Sequence, residues 1–98
     1  MQNTITLKSI YPVENIKVVL NNALQKELVF ATLRYEMFKN ECKIFEEKFG
    51  MDSYSFFDKF ESGQLGDDLH WFDWYSVYRG RELWKEKFQT INGISWNK

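Results

Sequence analysis

One proline, one cysteine and one histidine are all that this chain of 98 residues contains, and each scarcity removes a class of explanation. With Cys42 alone no internal disulfide can form, and its place in a helical apolar stripe makes it a buried, inert thiol. With His70 alone there is little from which to build a metal centre. With Pro12 alone, and no glycine from Val13 to Phe49, nothing interrupts a long helix. No apolar run approaches the roughly 18 residues of a membrane span, and no apolar leader opens the chain, so a cytoplasmic protein without a membrane segment is expected. A basic excess is missing too, since the net charge is −1.

The charge is unevenly placed. Asp52, Asp58, Glu61, Asp67, Asp68 and Asp73 stand against Lys59 alone, while Arg79, Arg81, Lys85, Lys87 and Lys98 stand against Glu82 and Glu86. The result is a dipolar chain, which gives phosphate-driven nucleic-acid binding little support. What is abundant is aromatic side chains, at 18% of residues. Each ring buries on the order of 150–250 Å², and a short chain hides a smaller share of its surface than a long one. Some of these rings are therefore expected to face another chain.

Residues 4–12, TITLKSIYP, alternate with Ile5 and Leu7 on one side and Thr4, Thr6 and Lys8 on the other, the period-two pattern of a strand over an N-terminal arm, 1–12. From 13 to 49 the pattern is helical. Leu24, Leu28, Ala31, Tyr35, Phe38, Cys42, Phe45 and Phe49 follow in alternating steps of four and three, the seam spacing of helices packed side by side. Leu33, Met37 and Ile44 widen the stripe enough for a second neighbour. Gly50 is the expected left-handed stop. A short helix over 52–62 follows, with Asp52 or Ser53 as its cap and Phe56, Phe57 and Phe60 as its apolar face. Gly63, Leu65 and Gly66 turn the chain, and Asp67 or Asp68 caps a final helix over 67–91. Its seam runs through Trp74, Val77, Arg81, Trp84, Phe88 and Ile91, and a tail, 92–98, closes the chain. The expected fold is a single mainly α domain: a strand, then a long, a short and a third helix in an antiparallel hairpin, completed by dimerisation.

Candidate chemistry is sparse. Asp67, His70 and Asp73 fall at i, i+3 and i+6, and the third rotates off the face shared by the first two. Metal sites bring further ligands, and Cys42 belongs to another stripe, so no metal or other cofactor is expected. Glu41, Glu46 and Glu47 alternate with Lys39, Lys43 and Lys48, which surface ion pairing explains. No nucleophile elbow or phosphate loop is present, and no catalytic residue is expected.

Partner-facing residues are easier to nominate. Arg81 interrupts a seam, which is costly unless it is paired. Glu36, Glu41 or a partner's carboxylate could serve, or Arg81 could reach solvent over Trp84 or Trp74. Trp71, Trp74, Tyr75 and Tyr78 cover most of the last helix, and with Trp84 they are candidate partner contacts, since Trp and Tyr are common interface anchors. The arm needs a ladder partner for Ile5 and Leu7: the GISW segment, its own copy, or another protein's sheet edge.

Residues 46–80, EEKFGMDSYSFFDKFESGQLGDDLHWFDWYSVYRG, resemble a group of short prokaryotic proteins. Its members share a helix stop K-[YF]-G-M, a corner F-x-x-[KR]-F-E-x-G-x-L-G-D-D and an F-x-W helix. The matching positions here are Gly50, Phe57, Phe60, Gly63, Leu65, Gly66, Asp67, Asp68 and Trp74. Members of that group are often encoded beside small toxin-like proteins, so the resemblance implies an antitoxin-like partner of such a protein. The expected function is a non-enzymatic interaction module that homodimerises. The alternatives are a nucleic-acid-binding regulator using Arg79, Arg81, Lys85 and Lys87, a structural homodimer, or a small metal enzyme using His70 and the Asp cluster.

Overall fold

Pro12, with φ −58° and ψ 143°, points the chain into helix α1, Val13–Phe49. Its carbonyl accepts from the N–H groups of Asn15 and Ile16, and Glu14 sets a negative charge at the positive end of the helix dipole. Thirty-seven residues later Gly50 adopts φ 68°, a conformation costly for any residue with a Cβ, and its N–H donates to the Glu46 carbonyl. Helix α2, Ser53–Glu61, starts where the Asp52 carboxylate accepts the Ser55 N–H at 2.9 Å. Helix α3, Leu69–Asn92, starts where Asp68 accepts the His70 N–H at 2.8 Å. Between them Gly63 and Gly66 take φ of 78° and 80°. The structure, a computed structural model, describes residues 2–96; Met1, Asn97 and Lys98, which end the expected arm and tail, lie outside the described residues.

α1 and α3 pack as an antiparallel pair. Phe49 meets Trp71 at the closed end, Phe38 meets Gly80 midway, and Asn21 accepts from the Trp96 indole N–H near the open end. α2 folds across the closed end against both. The molecule is mainly helical and measures 57 × 26 × 18 Å. Its radius of gyration of 18.9 Å far exceeds the roughly 13 Å of a compact chain of this length. A 37-residue helix is roughly 55 Å long and cannot be wrapped by two shorter helices.

The strand expected over 4–12 does not form, and no strand occurs among the described residues. The arm runs along the open end without a ladder: among the described residues its one internal hydrogen bond joins the Tyr11 N–H to Ser9 Oγ, and the Ile94 N–H of the GISW segment turns back to Ile91. The physical reason is that the arm lies beside α1, whose backbone groups are paired along the helix axis, while the non-helical residues 94–96 that share its cleft make no backbone hydrogen bond to it among the described residues. Alternation survives in the sequence, but no edge among the described residues pairs with it.

Candidate interaction surfaces

At the closed end the rings form one continuous stack. Phe56 lies flat on Trp74 with ring centroids 4.0 Å apart, and Phe45, Phe49 and Trp71 close around the same indole. Trp74 is fully buried. Its N–H donates to Ser53 Oγ at 2.9 Å, which removes the cost of hiding that donor. Tyr78 is 7% exposed and stacks on Phe57. Trp74 and Tyr78 are thus core residues of a single chain, a correction to their nomination as partner contacts: α2 covers the side of α3 that the sequence pattern left open. Trp71, Tyr75 and Trp84 are half-buried. Tyr75 stacks on Phe60, and Trp84 meets Phe30 edge-on with the Arg34 and Lys87 cations over its face. In the corner Leu65 is half-buried, while Gly63, Gly66, Asp67 and Asp68 are exposed.

Arg81 neither reaches solvent nor pairs with Glu36 or Glu41. It is buried at 8% exposure, with Nε 3.3 Å from Glu82, Nη1 3.8 Å from Glu46, and its guanidinium over the rings of Tyr54 and Tyr78. Nη2 is buried and has no hydrogen-bond partner among the described residues. Glu46 is the hub of this cluster, because the same oxygen that faces Arg81 accepts the Ser53 N–H at 2.8 Å. Cys42 lies beside Ser53, fully buried, and burial pushes its thiol above the usual range, so it stays protonated at neutral pH. The group is a structural keystone joining all three helices. With Arg81 enclosed, the basic set of α3 is reduced to Arg79, Lys85 and Lys87.

Asp67, His70 and Asp73 are all exposed. Among the described residues no three His, Cys, Asp or Glu side chains are grouped to hold a metal ion. No helix among them is long and apolar enough to cross a membrane.

Two apolar surfaces stay open. Ile5 and Leu7 on the arm are 88% and 60% exposed. On α1, at 3.6 residues per turn, Val18, Val29, Leu33, Met37 and Ile44 fall on the side away from α3, and they are 60%, 57%, 65%, 41% and 66% exposed. The helix therefore carries a covered seam and, opposite it, a second, uncovered apolar face. Compared with protein-family models, curated proteins and solved structures, the chain matches none.

Proposed function

We propose that this protein is a non-enzymatic interaction module that works as a homodimer joined through the outward face of α1. The observation that carries the reading is the second apolar face, with Leu33 and Ile44 each about two-thirds exposed. From Val18 to Ile44 it extends roughly 39 Å along a helix about 10 Å across, on the order of 400 Å², the size of patch that on a monomer is often functional.

A second copy fits it. Glu36 and Lys43 lie seven residues apart on the same edge of the face, and both are exposed. When two α1 helices run antiparallel about a two-fold axis between those positions, each Glu36 approaches the other copy's Lys43, and Leu33 of one copy lies near Ile44 of the other. Such self-complementarity is what an isologous interface requires. The pairing converts two hairpins into a four-helix arrangement and supplies the cover that one chain lacks.

The finer role is that of an antitoxin-like partner of a small protein, supported by the resemblance of residues 46–80. The carboxylates Asp58, Glu61, Asp67 and Asp73 are all exposed on α2, the corner and the start of α3, where Phe72 meets Phe60 edge-on, and this acidic excess suits a basic partner. Co-expression with the product of the adjacent gene tests this role. A complex that survives gel filtration and relief of the growth arrest caused by that product are the expected results. A neighbour that neither arrests growth nor co-elutes removes the antitoxin-like role and leaves the dimer to be judged separately.

A further inference from the structure

The open end of the hairpin holds a cleft of about 1230 Å³ between the N-terminal arm, the first turns of α1 and the end of α3. It exceeds the roughly 300–1,000 Å³ of ordinary small-molecule sites. Its apolar walls come from three segments: Leu7 on the arm, Leu20 and Leu24 on α1, and Ile94 and Trp96 beyond α3. The Trp96 indole is fixed by its hydrogen bond to Asn21 Oδ1 at 2.7 Å, so one wall is held in place. Residues 2–11 of the arm, which roof the cleft, make no backbone hydrogen bond to either helix among the described residues, so this stretch can move to admit a ligand.

Charge selects what could lie there. Lys8 and Lys17 line the cleft, and no Asp or Glu does among the described residues. Lys17 is half-buried, three residues before Leu20 and seven before Leu24, on the seam side of α1, where an apolar residue would continue the pattern. Neither lysine forms an ion pair among the described residues, whose ion pairs all involve Arg81. Two unpaired cations beside a long apolar trough describe the complement of one chemical class, an anionic head on an extended hydrocarbon chain.

We propose that the cleft binds a medium-chain fatty acid, its carboxylate held by Lys8 and Lys17 and its chain lying along Leu20 and Leu24 towards Trp96. From Lys17, where the carboxylate is held, the α1 lining continues to Leu24, about 10 Å of helix, which is the reach of a medium-length hydrocarbon chain. The inference does not rest on the dimer, because the cleft and the outward face of α1 are different surfaces.

The test is titration of the full chain with octanoate, decanoate, dodecanoate and tetradecanoate below their micellar concentrations. Calorimetry gives affinity, and the indole N–H resonances of ¹⁵N-labelled protein give location. One saturable site per chain is expected, with affinity rising severalfold for each two methylenes, since a buried methylene strengthens binding by up to about fourfold. The Trp96 resonance shifts while that of Trp74, locked to Ser53 at the far end, does not. Lys8→Glu with Lys17→Glu weakens dodecanoate by about tenfold or more and leaves the melting temperature unchanged. Lys17→Gln gives a smaller loss in the same direction. Absence of saturable binding by dodecanoate, equal binding of dodecylammonium, indifference to the charge reversals, or a Trp74 shift as large as that of Trp96 would overturn the proposal.

Discussion

A methyl group at position 80 would stand 2.7 Å from the ring of Phe38, so Gly80→Ala sets two effects against each other. Helix propensity favours alanine by up to about 1 kcal/mol, while forcing a ring out of a packed interface costs about 1–3 kcal/mol. The close approach wins, and urea unfolding of Gly80→Ala is expected to show net destabilisation; a gain in stability would mean that the two helices are not in such contact. Ser53→Ala strands the buried Trp74 indole N–H and is expected to cost about 1–3 kcal/mol, with a smaller cost in a Trp74→Phe background, where that donor is already absent. In the Arg81 cluster the order of effects is the prediction. Glu46→Ala leaves a buried guanidinium poorly paired and the Ser53 N–H without its acceptor, at a cost of about 3 kcal/mol, whereas Arg81→Met replaces charge by apolar volume at within about 1 kcal/mol. Equal losses would contradict the placement of Glu46 as hub. At this scale the sequence was only partly legible. The interruption of the seam by Arg81 is visible from spacing alone, but its partner is not, because Glu46 faces it only once α2 has folded back. Gly80, a lone glycine next to the seam residue Arg81, is the trace that the close approach to Phe38 leaves in the sequence.

Helices follow from local rules, which is why the helical order of the chain is readable: steps of four and three, glycine at a stop, Asp at a start. Asp52 illustrates how such a rule becomes a pH dependence. The Ser55 N–H donating to its carboxylate holds the group below the usual carboxylate range. A carboxyl group whose folded value is depressed contributes stability that is present above its unfolded value and is lost as pH falls through the folded one. Stability should therefore decline on acidification below the ordinary carboxylate range, and Asp52→Asn should flatten that decline; an unchanged acid limb would contradict the capping role. The arm shows where local reading fails. Alternation of Ile5 and Leu7 specifies a face but not an edge, and pairing is a property of what lies alongside. The second stripe of α1 was legible as extra width at Leu33, Met37 and Ile44, and the structure adds that the hairpin leaves Leu33 and Ile44 about two-thirds exposed. Leu33→Glu together with Ile44→Glu places charges on that face without touching the seam, so the helix content of the chain should hold while association is lost.

A rod of 57 × 26 × 18 Å with apolar side chains on both sides of its longest helix is a structure that one copy leaves half covered. The covered side is a property of one chain and was readable from it; what fills the other side is stated by no pattern within one sequence. The self-complementary edge of Glu36 and Lys43 favours a second copy, and the acidic corner stays free for a partner of opposite charge. The measurement closest to this claim is the mass in solution, by light scattering on the eluting gel-filtration peak at micromolar concentration. The account predicts twice the 11.9 kDa of one chain for the native protein and a single chain's mass for the Leu33→Glu, Ile44→Glu variant. A well-folded native protein that elutes at 11.9 kDa would contradict it.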